Sequence, residues 1–362
     1  MSGARPVWDV VLPQGAAGEL AGTTGPESWQ LLLRTAGLAR DLGYGRLWLL
    51  DRTDTLPRRE PLPVWEGWTA LAALAAALDG PGLGLLSAAP PFRNAALLAK
   101  RAACLDVLSG GRLELGLSTA EYGAEHVSTG AAPEGPYRAG AGHRALAETV
   151  AALRALWRGD PVTVAGEHVR LSAAHCVPVP SREGLPLAVR APAGAGADAE
   201  HGAEPLPDAV VRECDAVQWS GDPQEVARAV EEFGRRRARL GLDPAGVRHA
   251  LVAECRIFDS VLERDRWLAS PHEVVFWSHH PDLLARRSLY GTPGQVADRA
   301  GRYVAAGIGE FVVWFRDYPS TESLRRLAEE VVPHVPLPAG PRGTGADAGP
   351  AAGPGPAQRK ER

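Results

Sequence analysis

The chain has 362 residues, of which 45% are hydrophobic, and its 39 lysines and arginines nearly balance its 43 aspartates and glutamates. A hydrophobic fraction of this size can bury a large core, and the balanced charge, with no basic run, argues against nucleic acid as a partner. No apolar run reaches the roughly 20 residues needed to cross a bilayer, so we expect no membrane partner either.

The amino-terminal residues 1–6 lead directly into a strand-like run and show no signal peptide. The cysteines lie far apart, without a CxxC pair and without the Cys/His spacing of a zinc site. These cysteines are at positions 104, 176, 214 and 255. In a chain of this size they are typical of reduced thiols in a core, which predicts a cytoplasmic protein.

The first half of the chain alternates short β-like runs with longer helical patterns. Strands are predicted at residues 7–12, 46–51, 83–87 and 112–117. Helices are predicted at residues 28–42, 65–78, from Asn94 to the glycines at 110 and 111, and at 143–157. Asn94 is a favourable helix N-cap, and Gly43 is a typical residue just past a helix end.

The second half continues the alternation. Strands are predicted at residues 185–190, 216–219, 249–255 and 310–315. Helices are predicted at 208–214, from a capping box at 222–225, from a second capping box at 292–295 as far as residue 306, and after Ser320.

Eight strands in strict alternation with eight helices predict parallel strands and a closed (β/α)8 TIM barrel. The fifth and sixth units are weak, which keeps an open doubly wound sheet as the alternative. Residues 256–290 are additional and predict a helical insertion before the last βα unit. We expect one domain over residues 1–335 and a disordered tail rich in Pro, Gly and Ala over residues 336–362.

The active face of a parallel barrel lies at the carboxyl ends of its strands. That rule selects Asp51 and Arg52 after the second strand, the region from Ser87 after the third, and Glu121 with Glu125 after the fourth. Each also has a purely structural interpretation, as a rim salt bridge or a solvated helix face. The chain has no GxSxG, GxxxxGK[ST], HExxH or GxGxxG motif, so the hydrolase, nucleoside-triphosphatase, zinc-protease and Rossmann interpretations lack support.

Several blocks of sequence resemble a known family. They are WEGWT at residues 65–69, FRNAALLAK at 92–100, LDVLSGGRLELGL at 105–117, ALW at 155–157, and YGTP at 290–293 leading into FVVWF at 311–315. Together they resemble the luciferase-like monooxygenase family, over about residues 7–335.

The resemblance implies a barrel that holds reduced FMN or the deazaflavin coenzyme F-420 at its mouth and acts on a small organic substrate. It implies a kinked peptide at Ser87 and Ala88, a ring or ribityl contact from Thr119, and a phosphate loop over residues 190–196. Catalytic roles fall on Arg52 and Glu121. Cofactor contacts are expected from residues at several strand ends, namely Asp51, Ser87, Ala88, Thr119, Glu125, Arg190 and Gly194.

The chain also departs from the family pattern. Asp51-Arg52 stands where relatives have Asp-His, and arginine cannot exchange a proton near neutral pH as histidine does. Arg52 could instead attract an anionic substrate or stabilise a peroxide anion. Ser118 and Ala120 stand where glycines are usual, which could crowd a cofactor.

Three functions therefore stay open. They are a monooxygenase fed with reduced FMN by a separate flavin reductase, a deazaflavin-dependent hydride-transfer enzyme, and a degenerate barrel that serves as a subunit or partner. A homodimer formed through a helical face is expected.

Overall fold

The computed structural model describes residues 5–55, 62–88, 93–119, 141–182, 184–193, 205–270 and 281–336. The strands in these ranges are β1 (Val7–Val11), β2 (Arg46–Leu50), β3 (Gly82–Ala88), β4 (Leu113–Leu117), β5 (Val162–Ala165), β6 (Arg170–Ala174), β7 (Leu187–Pro192), β8 (Ala216–Ser220), β9 (Arg248–Ile257), β10 (Leu289–Gly291) and β11 (Glu310–Phe315).

The helices of the described ranges pack on the outside of the barrel or belong to the insertion before its last strand. They are α1 (Gly25–Asp41), α2 (Gly67–Ala77), α3 (Ala95–Leu108), α4 (Ala141–Leu156), α5 (Asp208–Glu213), α6 (Pro223–Arg239), α7 (Val261–Leu268), α8 (Pro281–Arg287), α9 (Pro293–Ala305) and α10 (Glu322–Arg326), the last continuing as a π-helical turn over Leu327–Val331.

Eight of these strands close into a parallel barrel. Around the barrel the order is β1, β2, β3, β4, β7, β8, β9 and β11, and β11 pairs with β1 to complete the ring. Each barrel strand is followed by at least one helix before the next barrel strand begins. The predicted (β/α)8 barrel is therefore confirmed, and the open-sheet alternative is wrong because the pairing leaves no free edge between β8 and β9.

Local signals place most helix starts where the sequence predicts them. The Asn94 side chain accepts the Leu97 N–H at 3.0 Å, and Asp222 and Glu225 form the expected capping box of α6. The last helix is an exception. Its N-cap is Thr321, one residue later than predicted, although the Ser320 hydroxyl accepts the Glu322 N–H at 3.2 Å.

Two features lie outside the predicted alternation. An antiparallel hairpin of β5 and β6 follows α4, and its turn is anchored by Glu148, whose carboxylate accepts the N–H groups of Glu167, His168 and Val169 at 2.8–3.1 Å. The insertion before the last unit contains α7 and α8 together with β10, which adds a parallel strand to β9. The predicted tail after residue 336 lies outside the described residues.

The barrel strands are buried on both faces, as expected when helices surround a parallel sheet. The Trp48 indole fills the interior beside Gly84, where a Cβ atom would come within 2.2 Å of the ring. On the outside, Trp8 stacks on Phe311 with ring centroids 4.3 Å apart. All four cysteines are free thiols, and within the described ranges no helix is long and apolar enough to cross a membrane.

Candidate active site

A network of five charged side chains at the amino end of the barrel identifies the inward face of the strands. Arg46 of β2 bonds to Glu114 of β4 at 3.0 Å, and Arg248 of β9 bonds to the same carboxylate at 2.7 Å. Arg46 also pairs with Asp9 and Glu310, both at 3.0 Å. Because these strands are not all neighbours around the ring, the contacts cross the barrel interior. Side chains alternate along a strand, so every second residue from these five also faces inward.

At the carboxyl half of the barrel, one side of this inward face is apolar. Four residues, here called the apolar wall, follow the charged network at even spacing on β1, β2, β9 and β11: Val11, Leu50, Val252 and Trp314. Val252 is only half-buried although it faces inward. The other three are buried, so Val252 is the member of the wall that keeps accessible surface, at the face where parallel barrels carry their active sites.

The opposite side of the inward face is polar. Arg190 of β7 is in register with Gln218 of β8, which in turn is in register with the inward residue Ala250. Ser118 ends β4 on the inward side, and its N–H donates to the Ala88 carbonyl at 3.0 Å. We call the buried side chains on β3, β4, β7 and β8 the polar row: Ser87, Ser118, Arg190 and Gln218.

Three members of the polar row are buried without satisfying their hydrogen-bonding groups. Among the described residues, the hydroxyl oxygens of Ser87 and Ser118 and both amide atoms of Gln218 have no hydrogen-bond partner. Leaving such a group buried and unbonded costs about 1–3 kcal/mol. Buried polar groups without a partner on the inward face of a barrel are what a binding site for a polar ligand presents before the ligand arrives.

The end of β2 carries a tight ion pair. Arg93, near the start of α3, donates to both carboxylate oxygens of Asp51 at 2.7 and 3.0 Å. A carboxylate held by a guanidinium in this two-bond geometry is poorly suited to accept a proton from a substrate. Arg52, the next residue, is buried and permanently charged, so it can stabilise negative charge but cannot move a proton.

The insertion contributes a second polar cluster at the ends of β9 and β11. The Tyr290 hydroxyl donates to the buried Glu254 carboxylate, and Arg316 lies 3.8 Å from the other carboxylate oxygen. Burial, together with Glu254, raises the pKa of Tyr290 well above its usual range, so the phenol stays protonated. The Trp267 ring of α7 packs edge-on against Tyr290, with ring centroids 4.9 Å apart.

Most of the predicted site residues that the structure describes fall into two groups. Asp51 and Arg52 lie together at the end of β2, and Ser87 and Arg190 lie in the polar row. The β3 strand is irregular where a kinked peptide was expected, with a register shift between Leu85 and Ala88 and a cis peptide bond between Leu86 and Ser87.

Thr119 lies apart from both groups. A Cβ atom on Gly142 would come within 3.3 Å of the Thr119 side chain, so Thr119 packs against the start of α4, on the opposite side of the chain from Ser118. Glu121, Glu125 and Gly194 lie outside the described residues.

The polar row also contains residues outside the predicted set of cofactor contacts. Ser118 belongs to the predicted active-face region after the fourth strand but stands where a glycine is usual, and the sequence places Gln218 only inside a strand. The signal for Gln218 was present, since a glutamine inside an apolar strand run, AVQWS, needs a partner once buried. Its neighbour Trp219 faces outward, where the indole N–H donates to His249 at 3.0 Å.

Comparisons with known proteins agree with this architecture. The sequence model of the luciferase-like monooxygenase family matches residues 10–261, which is more than half of the chain. The chain belongs to the luciferase-like monooxygenase family. Membership confirms the family resemblance read from the sequence, and with it the expectation of an oxidoreductase enzyme of the luciferase-like class.

Solved structures with the fold of this family cover nearly the whole chain at low identity. The EDTA monooxygenase from Chelativorans sp. BNC1 is 17% identical, with a TM-score of 0.71 over 92% of this chain and 95% of its own. The oxygenating constituent of 3,6-diketocamphane monooxygenase from Pseudomonas putida, solved in complex with FMN, is 17% identical, with a TM-score of 0.68 over 92% and 100%. The coenzyme F-420 dependent tetrahydromethanopterin reductase from Methanopyrus kandleri is 16% identical, with a TM-score of 0.68 over 92% and 99%.

Proposed function

We propose that this protein is a flavin-dependent monooxygenase that uses reduced FMN, or a deazaflavin, and dioxygen to oxidise a small organic substrate. Family membership supports the class of reaction. The observation that carries the proposal is the polar row on the side of the barrel opposite the apolar wall, where the buried side chains of Ser87, Ser118 and Gln218 have no hydrogen-bond partner among the described residues. A planar aromatic ring with one hydrogen-bonding edge would offer partners to these groups and apolar surface to the wall.

The residues present fit a flavin ring. Val11, Leu50 and Trp314 offer the apolar surface that a tricyclic ring needs, and Ser118 and Gln218 offer neutral donors and acceptors for its polar edge. When bound in its reduced form, the ring supplies a hydride or a pair of electrons to the acceptor.

The charged groups of the site would stabilise negative charge, hold a proton or position other side chains. Arg52 and Arg190 would hold negative charge on the cofactor or on an anionic substrate, because a guanidinium stays protonated. The Tyr290 hydroxyl and the Glu254 carboxylate would hold a proton at the mouth. Asp51 would act as a positioning residue, because its carboxylate is already occupied by Arg93.

Binding and oxygen dependence test this proposal. The purified protein is titrated with FMN, photoreduced FMN and the deazaflavin coenzyme, and ring fluorescence is followed. We expect saturable binding of at least one of them. Consumption of dioxygen by the protein loaded with reduced FMN, above the rate of free reduced FMN, supports the monooxygenase. No saturable response to any of the three would remove the proposal.

Two observations support alternative functions. A hydride-transfer enzyme of the deazaflavin type is supported by the fold shared with the F-420 dependent reductase, and it predicts binding of the deazaflavin with no oxygen consumption. A degenerate barrel is supported by Arg52 in place of histidine and by the occupied Asp51 carboxylate, and it predicts no binding. An Arg52→His variant separates an active arginine from a decayed site. Weaker binding of reduced FMN supports the first, and tighter binding the second.

We also propose a homodimer, with reduced flavin supplied by a separate reductase in the cytoplasm. The four free thiols suit that compartment. The exposed face of α2 is made of Thr and Ala without charge, and on adjacent α3 Leu97 and Leu108 are 49% and 69% exposed. A Leu97→Glu/Leu108→Glu variant should be monomeric by light scattering, whereas Leu262→Glu, changing a leucine that is 59% exposed on α7, should leave the dimer intact.

A further inference from the structure

Two buried glutamines of this barrel differ completely in their bonding. Both Gln14 and Gln218 are 1% exposed. The Gln14 amide donates to the carbonyls of Leu50 and Trp65 at 2.9 and 2.5 Å and accepts the Leu50 N–H at 2.7 Å. The Gln218 amide makes no hydrogen bond to any part of the chain that the structure describes. Gln14 therefore has a structural role in fixing a loop, and Gln218 has none of that kind.

The position of Gln218 explains what its amide is for. It faces inward on β8, in register with Arg190 on one side and with Ala250 on the other. Ala250 precedes Val252 by two residues on the same face of β9, and Val252 keeps accessible surface although it faces inward. The side chain beside Gln218 on β9 is thus no larger than the methyl group of Ala250. Ser118 continues the polar row toward the mouth.

We propose that the Gln218 amide binds the imide edge of the flavin ring, and thereby fixes which edge of the ring enters the barrel. This inference rests on the proposed function. The edge carries an N–H between two carbonyl oxygens, and a primary amide offers one acceptor and two donors in a matching plane. FMN and the deazaflavin share this edge, so the inference holds for either cofactor.

The role of Gln218 predicts opposite effects on the ligand-free protein and on the complex. Gln218→Met keeps the length of the side chain and removes both unbonded polar atoms, so the ligand-free protein should melt at the same temperature or higher. The same change removes the partner of the ring edge, so FMN should bind about tenfold more weakly. Gln14→Met is the matched control, and it should melt several degrees lower because it leaves the Leu50 and Trp65 groups unbonded.

A chemical change in the ligand tests the contact directly. Full-length wild-type protein and Gln218→Met are titrated with FMN and with 3-methyl-FMN, in which a methyl group replaces the imide hydrogen. If the earlier titration selects the deazaflavin, the probes are 8-hydroxy-5-deazariboflavin and its 3-methyl derivative. We expect methylation to weaken binding to the wild type about tenfold and to leave binding to Gln218→Met nearly unchanged, since the contact is already lost.

Each other outcome overturns the inference. If ligand-free Gln218→Met melts as low as Gln14→Met, the amide is bonded within the protein, for example through an internal water. If mutation and methylation weaken binding independently and additively, Gln218 does not contact that edge, although the flavin function stands. If the wild type binds neither probe, the flavin function fails and the inference fails with it.

Discussion

The two ends of the barrel interior carry polar side chains on the same inward face but satisfy them in different ways. At the amino end, every one of the five charged side chains pairs with another member of the network. At the carboxyl end, the polar groups of Ser87, Ser118 and Gln218 have no partner among the described residues. In the first arrangement single atoms are left over, namely one carboxylate oxygen each of Asp9 and Glu114 and the Nε of Arg46, but every side chain is held by an ion pair. In the second, these three side chains have no bonding partner at all among the described residues, which points to a ligand.

The amino-end network is itself not neutral. It contains the carboxylates of Asp9, Glu114 and Glu310 but only the guanidiniums of Arg46 and Arg248. Burial raises the pKa of Asp9 well above its ordinary value, Arg46 partly opposes this, and the neighbouring Glu310 carboxyl raises it further. Burial likewise raises the pKa of Glu114. We infer that the network holds a proton on Asp9, donated toward Glu310.

Removal of the central cation should have the largest effect. Arg46→Met leaves three buried carboxylates with one half-exposed guanidinium, and we expect a loss of about 3–5 kcal/mol in the free energy of unfolding. Guanidinium chloride denaturation of the ligand-free protein measures it. Arg248→Met is the control and should lose less, because water can reach that side of the network. A loss below about 1 kcal/mol at Arg46 would mean that the network contributes little.

The proton on Asp9 gives a pH-dependent prediction. A raised pKa in the folded protein means that proton binding stabilises it fully below the unfolded value of about 3.9, and that this stability is lost as the pH rises through the folded pKa. Asp9→Asn mimics the protonated acid, since its amide can still accept from Arg46 and Trp48 and can donate to Glu310.

Unfolding at pH 5 and pH 8 tests the state of Asp9. We expect the stability of Asp9→Asn relative to the wild type to increase by about 1 kcal/mol from pH 5 to pH 8. Glu114→Gln serves as the comparison, because it removes the acceptor of two guanidiniums and should destabilise at both pH values. An Asp9→Asn variant that is less stable than the wild type at pH 8 would show that Asp9 is ionised there.

The sequence predicts the barrel well because its signals are local. Apolar runs mark the eight strands, and Asn94 and the capping box at Asp222 mark helix starts. The sequence does not predict the hairpin of β5 and β6, because its strands are short and partly exposed. Its turn also depends on Glu148, about 20 residues earlier in the chain.

The site is harder to predict than the fold, because it depends on which face each strand turns inward. Ser118 and Thr119 are neighbours in sequence, yet one joins the polar row and the other packs against Gly142. The irregularity between Leu85 and Ala88 shifts the alternation of β3 in the same way. The family resemblance indicates which strand ends form the site. Only the register of the closed barrel shows which of two adjacent residues faces inward.

The smallest expected effect lies at the carboxyl end, and it tests the comparison most directly. Ser118 and Ser323 are both buried, at 0% and 1% exposure, but the Ser323 hydroxyl accepts the Ile257 N–H at 3.0 Å and the Ser118 hydroxyl has no partner among the described residues. Ser323→Ala should therefore cost about 1 kcal/mol of stability, whereas Ser118→Ala should leave the ligand-free protein within about 0.5 kcal/mol of the wild type.

The two variants should rank in the opposite order in their effect on FMN binding. Ser118→Ala should weaken binding several-fold. Ser323→Ala should not change it, because Ser323 lies in α10 and bonds to the end of β9. If Ser118→Ala destabilises the ligand-free protein as much as Ser323→Ala does, the hydroxyl is already bonded in the folded chain. The side chains of the polar row would then be bonded within the chain, as those of the amino-end network are, and the contrast between the two ends of the barrel would no longer point to a ligand.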